Sequence, residues 1–172
     1  VWAEDNGGGR DDIYYTDLDS LPLRAHKVNV PSSVKFHPVV DGDTIVWQDQ
    51  EPGSLTFDIL LYNLSSGTLY NLTPDTPDSD QVSPSIYGDR VVWENIRVGA
   101  GSDIFMNETG AGWTTVNLTP GLLPAFNRRP IINGDYVIWY DDTNNIYLSN
   151  LTTTSLVTGD PAVSVLNPSV VS

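Results

Sequence analysis

The sequence predicts an all-β chain: a β-propeller of four-stranded antiparallel blades, with about four repeats in its 172 residues. Three observations carry this. Tryptophan recurs at Trp2, Trp47, Trp93 and Trp139, spaced by 45, 46 and 46 residues, and such a period in a strand-rich pattern marks a repeat architecture. Three of these tryptophans close near-copies of one phrase, Pro-x-[Val/Ile]-x-Gly-Asp-x-[Ile/Val]-[Val/Ile]-Trp, starting at Pro38, Pro84 and Pro130. No window places apolar residues at i, i+3, i+4 and i+7 between capping signals, so no useful helix is expected.

The second copy shows why each strand forms. Pro38-Val39-Val40-Asp41-Gly42 reads as a short strand that a proline can start but not interrupt. Gly42-Asp43 is a tight-hairpin signal, matched by Asn133-Gly134 in the fourth copy. Thr44 to Asp49 carries the β-branched and aromatic residues of a buried strand. After a polar loop with Pro52-Gly53, Phe57 to Tyr62 gives a third strand, and Ser66-Gly67 turns the chain into a fourth, Thr68 to Leu72. The third strand recurs as Asp12-Ile13, Asp58-Ile59, Asp103-Ile104 and Asn145-Ile146. Its leading polar side chain is expected to bond to a nearby backbone N–H, and the tryptophans to pack between blades.

The blades are expected at about 1–36, 37–82, 83–128 and 129–166, with 167–172 supplying the first strand of the blade begun at residue 1. The chain begins and stops inside copies of the repeat, so it reads as a piece of a longer polypeptide. Two arrangements are open. The ends meet in one mixed blade and close a four-bladed ring, or the four repeats belong to a larger ring or array. In the second case, exposed strand edges drive association with further repeats or another copy.

Composition narrows the partners. There are 22 acids, 18 of them Asp, against 8 bases, for a formal charge of −14. That field repels nucleic acid and anionic membranes, because phosphate affinity is carried by Lys and Arg. No apolar run approaches the ~18 residues of a membrane span. The absence of cysteine excludes disulfides, zinc–thiolate sites and thiol nucleophiles. Asn63, Asn71, Asn107, Asn117 and Asn150 stand in Asn-x-Ser/Thr triplets, candidate glycan acceptors in an exported chain. Asn71 and Asn117 also belong to the repeated phrase Asn-Leu-Thr-Pro, and Asn63 and Asn150 start tight turns, so turn chemistry competes with glycosylation.

The phrase at Pro84 to Trp93, the Asp58-Ile59 pair and the Asn63-Leu64-Ser65-Ser66-Gly67-Thr68 turn together resemble the TolB-like, or YVTN-like, β-propeller repeats of archaeal and bacterial cell-surface proteins. The likeness covers nearly the whole chain. It implies a cell-envelope or adhesive role, while the fold alone implies no chemistry. The third copy departs at Met106 to Gly110, with a shortened turn. The fourth departs at Asp141-Asp142-Thr143-Asn144, a compressed connection.

Candidate sites are few. His37, Ser83, Arg129 and Asn167 each precede the repeat proline and would line one mouth of a central channel. Asp43, Asp89 and Asp135 share one hairpin position and are weak Ca²⁺ candidates, though Gly-Asp is also what such a turn favours. The loop from Asp5 to Asp12 and the Asp141-Asp142 pair invite the same idea without a calcium-loop pattern. The two histidines, His26 and His37, share no metal-binding spacing, and no Gly-x-Ser-x-Gly elbow occurs. No catalytic or cofactor-binding set emerges.

The expectation is therefore a non-enzymatic extracellular or cell-surface module for structural assembly, adhesion or protein–protein interaction. Its partners would be other copies or envelope proteins reached through open strand edges. Two alternatives stand beside it. One is a glycan-binding or glycan-cleaving propeller that uses exposed aromatics such as Tyr14, Tyr15 or the off-period Trp113. The other is an accessory substrate-recognition propeller of a larger enzyme.

Overall fold

The computed structural model describes residues 1–5, 7, 10–19, 21–74, 76–111, 113–121, 126–151 and 154–157. Fifteen strands form four separate antiparallel sheets, each a meander of strands taken in chain order. The first holds β1 (Trp2–Asp5), β2 (Asp11–Thr16) and β3 (Ala25–Lys27). The second holds β4 (Val34–Asp41), β5 (Thr44–Gln50), β6 (Asp58–Asn63) and β7 (Thr68–Asn71). The third holds β8 (Ser79–Tyr87), β9 (Arg90–Arg97), β10 (Gly101–Glu108) and β11 (Thr114–Asn117). The fourth holds β12 (Asn127–Asn133), β13 (Tyr136–Asp141), β14 (Ile146–Ser149) and β15 (Thr154–Leu156). A single 3₁₀ turn at Thr109–Ala111 accompanies them.

The first sheet has three strands because nothing among the described residues pairs with the free side of β1. The expected donor of that strand, residues 167–172, lies outside the described residues. Packed strand pairs join neighbouring sheets in chain order, and none joins the first sheet to the last among the described residues.

Alternation along the strands explains where the core sits, since successive side chains of a strand point to opposite faces. In β5, Ile45 and Trp47 face the first sheet while Val46 faces the third. In β9, Val91 and Trp93 face the second sheet while Val92 faces the fourth. The core is thus three layers, one per gap between sheets. Trp47, Trp93 and Trp139 are 0%, 1% and 0% exposed and dominate one layer each. Each buried indole N–H also finds an acceptor: Asp49 at 2.8 Å, Gln81 at 2.7 Å and Asn127 at 2.9 Å. The tryptophans pack between sheets, as their large area requires.

Two local expectations need correction. The repeat proline does not start its strand. Pro38 and Pro84 sit inside β4 and β8, and the pairing slips between Phe36 and Val39 and between Val82 and Ser85. A β-bulge there leaves a ladder position unpaired, so the donor that proline lacks is not missed. The polar residue opening the third strand, meanwhile, does not chiefly serve a backbone N–H. Asp58 takes Asn71 Nδ2 at 2.9 Å and Thr73 Oγ1 at 3.3 Å, while Asp103 takes Asn117 Nδ2 at 3.2 Å and Thr119 Oγ1 at 3.3 Å. The Asn-Leu-Thr-Pro phrase is the partner of that carboxylate. Its threonine hydroxyls then accept the N–H of Ile59 at 3.0 Å and of Ile104 at 2.9 Å, tying the outer end of each sheet.

The Gly-Asp hairpins form as read. Gly42, Gly88 and Gly134 have φ of 51°, 59° and 57°, the first central residue of a two-residue turn, where a side chain would be strained.

Candidate functional site

The residues before the repeat prolines occupy equivalent places. His37, Ser83 and Arg129 have φ of 50°, 55° and 46°, left-handed values that non-glycine residues adopt only where their surroundings hold them there. Each sits at the bulge of an innermost strand. What holds them is the residue following the tryptophan. Gln48 Oε1 accepts the N–H of Ser83 on the next sheet at 3.0 Å and lies 3.0 Å from His37 Nδ1 on its own. Glu94 Oε2 likewise accepts the N–H of Arg129 on the next sheet at 3.2 Å. One side-chain oxygen in each of the second and third sheets therefore latches the strained bulge of the sheet that follows.

Sequence reasoning passed over Gln48 and Glu94. The signal was a polar residue in an otherwise apolar strand, one place after the Trp. Both are buried, at 6% and 4% exposure. Burial pushes the Glu94 carboxyl above its ordinary 4.5; the Arg129 N–H, Ser102 and the positive charges of Arg128 and Arg129 pull the other way without cancelling it. Asn167, the fourth residue of the expected set, lies outside the described residues. The bonds above bring His37 to Ser83 through Gln48 and tie Arg129 to Glu94.

The hairpin aspartates share a turn but serve different neighbours. Asp43 accepts the hydroxyl of Ser65, and its carbonyl accepts the N–H of Leu64 at 2.8 Å. The carbonyl of Asp89 accepts Thr109 N at 2.7 Å. Asp135 pairs with Arg90 of the preceding sheet at 2.6 Å, which ties the third sheet to the fourth. Among the described residues, no three His, Asp or Glu side chains are grouped so as to hold a metal ion.

Asp141 is a closed structural knot. Its Oδ1 accepts Thr143 N at 2.8 Å, Thr143 Oγ1 at 2.7 Å and Asn145 N at 3.0 Å, and its Oδ2 accepts Asn145 Nδ2 at 3.0 Å and Tyr147 OH at 2.9 Å. Burial alone would raise this carboxyl, but the donors outweigh it and hold it below its ordinary 3.8. That compressed connection needs no ion.

The glycan-acceptor candidates separate by exposure. Asn107 is 1% exposed, its Nδ2 bonded to Thr115 Oγ1 at 3.1 Å and its Oδ1 unpartnered, so this arrangement leaves no room for a sugar. Asn71 and Asn117 use both ends of their amides, each also accepting a backbone N–H at 2.8 Å from Thr73 or Thr119. Asn63 closes its turn onto Ser66 N at 2.8 Å. Asn150 lies on an exposed turn.

Two surfaces are open to partners. Trp113 lies tilted on Tyr70 of the neighbouring sheet, centroids 4.7 Å apart, and both rings remain more than a third exposed. Trp2 is 37% exposed, although it stacks on Tyr14 at 5.7 Å much as Trp139 stacks on Tyr147 at 5.7 Å. The difference is that the third sheet covers Trp139, whereas no sheet among the described residues lies in front of Trp2. Grooves also run between sheets. One of about 460 Å³ lies between Pro31 and Leu60, and one of about 250 Å³ between Pro74 and Phe105.

Solved structures place this architecture. The chain is similar to TolB from Acinetobacter baumannii at 15% identity, with a TM-score of 0.56, over 87% of this chain and 41% of that one. It is similar to the protein assigned as TolB from Agrobacterium tumefaciens at 15% identity, with a TM-score of 0.61, over 91% of this chain and 59% of that one. The fold is that of the TolB-like β-propeller. At such identity the likeness concerns the fold alone, and the chain spans only 41% and 59% of the two TolB chains. No family model and no curated protein matches the sequence.

Proposed function

We propose that this chain is a non-enzymatic extracellular or cell-surface module whose TolB-like sheets serve structural assembly, adhesion or protein–protein interaction. Its four sheets are consecutive blades of a larger ring or array. The reading is supported by the matches, which take up most of this chain and a minority to just over half of each TolB chain. The carrying observation is the face of Trp2: in the matching Trp139–Tyr147 stack the indole is fully buried, whereas that of Trp2 is 37% exposed at the first sheet. The acidic charge of −14 keeps the chain off nucleic acid and anionic lipid and leaves proteins or neutral glycans as partners.

The test uses the purified chain over immobilised envelope proteins of the source cell, alongside Trp2→Asp. Binding by the wild type that the variant loses is the expected result. Turnover of chromogenic glycoside or peptide substrates that follows the protein through purification would replace this reading with an enzymatic one.

A second reading, glycan binding without cleavage, is favoured by the exposed Tyr70–Trp113 pair beside the groove lined by Pro74 and Thr115. Sugar rings stack on such faces. A glycan array probed with wild type and Trp113→Ala decides it: signals common to both, or none at all, dismiss this reading.

A further inference from the structure

We propose that the chain docks head to tail on a second copy of itself, the front face of its first sheet receiving the rear face of the copy's last sheet. This rests on the assembly reading above and names its partner and contact residues.

The three internal gaps are the template. In each, a front face led by the tryptophan packs on the rear face of the sheet before it. In the second and third sheets the rear face is set by three equivalent aliphatic positions. They are Val46, Leu61 and Leu72 in the second sheet, all buried against Trp93. In the third sheet they are Val92, Met106 and Leu118, packed around Trp139. Strand register fixes the same positions in the last sheet as Ile138, Leu148 and Val157. Leu148 pairs with Ile138 as Leu61 pairs with Val46, and Val157 N bonds to the Ile146 carbonyl as Leu72 N bonds to that of Ile59. The rear face is therefore repeated once more than it is used, and Val157 is 58% exposed.

The front face is likewise repeated once more than it is used, at Trp2 and Tyr14. Two halves of a fourth gap of the same kind stand at opposite ends of the molecule. Among the described residues, the extensively packed strand pairs stop at neighbouring sheets, and no strand of the first sheet is hydrogen-bonded to one of the last. A second copy brings the missing half. Because the two faces differ, the contact is heterologous, closing into a ring or extending as a filament according to the rotation between copies.

Light scattering of the full chain over a concentration series tests this, with Trp2→Asp blocking one face and Val157→Asp the other. Both sites are exposed, and circular dichroism confirms that each variant folds. The wild type should associate as concentration rises, and each variant alone should be monomeric. An equimolar mixture of the two variants should give a one-to-one dimer and nothing larger, because one front and one rear face survive. Losing a central tryptophan contact weakens such a complex by roughly 30-fold or more. Variants that still associate alone would overturn the proposal, since another surface would then be in use. A monomeric wild type overturns it as well. Iodide quenching compared with Trp2→Phe then tells whether the chain covers Trp2 itself or leaves it open. Binding to other envelope proteins would survive either failure, so the broader reading is judged separately.

Discussion

Glu94 offers the sharpest test of how successive sheets are joined. Its Oε2 accepts the N–H of Arg129, a residue held at φ 46° on the next sheet, and the carboxyl is 4% exposed. Glu94→Ala removes the acceptor of this half-buried bond, which costs about 0.5–1.5 kcal/mol. Glu94→Gln keeps an oxygen in place, as Gln48 does naturally for Ser83 at 3.0 Å, and removes a charge that burial disfavours. The sign of the pH effect follows from the raised pKa. The native state holds the Glu94 proton more tightly than the unfolded chain, so this group's contribution is full below 4.5 and declines as pH rises through the native value. Denaturant melts at pH 4 and pH 7 should therefore show Glu94→Gln gaining on the wild type at the higher pH, with Glu94→Ala the least stable throughout. If Glu94→Gln instead loses as much as Glu94→Ala, the attraction of Arg128 and Arg129 for the charge matters more than the latch, and the reasoning fails.

Other outcomes follow from the same contacts. Trp139→Ala should cost about 3–5 kcal/mol in thermal or urea melts, whereas Trp2→Ala, at a site already 37% exposed, should cost distinctly less in the monomer. Lys35 is 1% exposed and donates to the carbonyls of Asp11 at 3.1 Å and Pro31 at 2.9 Å. Lys35→Met should lose about 1–3 kcal/mol by the same melts, because those carbonyls are orphaned. Asp141→Ala frees five donors at once and should cost about 2–3 kcal/mol at pH 7. Because the Asp141 carboxyl is held below 3.8, the gap should narrow as acid protonates the wild type through its lowered native value. Glycopeptide mapping of chain made in a glycosylating host should find Asn107 bare, given its 1% exposure.

Much of the architecture was legible because it is periodic. The tryptophan spacing, the Gly-Asp hairpins and the alternation around Ile45-Val46-Trp47 each read off one residue at a time, and strands β4 to β14 answer to them. What escaped was contact between residues on different strands, which no local pattern records. Pro38 looked like a strand start because ladder logic forbids it mid-strand, and only the bulge, sustained by Gln48 from another strand, relieves that rule. Asn71 and Asn117 stand in glycan-acceptor triplets, which are local, whereas the Asp58 and Asp103 that bond their amides lie 13 and 14 residues away. The latch was invisible for the same reason: Glu94 and Arg129 are 35 residues apart and meet only when two sheets stack.

The asymmetry of each sheet connects that latch to function. The gaps behind the second and third sheets are built from unlike faces, with a tryptophan on one side, aliphatic residues on the other and a latching oxygen across. A sheet therefore accepts a neighbour on each side only in one sense. Such a design stacks in chain order without mispairing, since two front faces would oppose bulky aromatic rings and two rear faces would leave the tryptophans without the aliphatic surface they pack on. It also leaves the first and last sheets with one face each that no other sheet covers among the described residues. Trp2 and Val157 mark those two faces, and they differ from their buried counterparts in exposure, not in kind. On the proposed reading, recognition reuses the folding contact and needs no separate binding site, in keeping with how little in this sequence reads as chemistry.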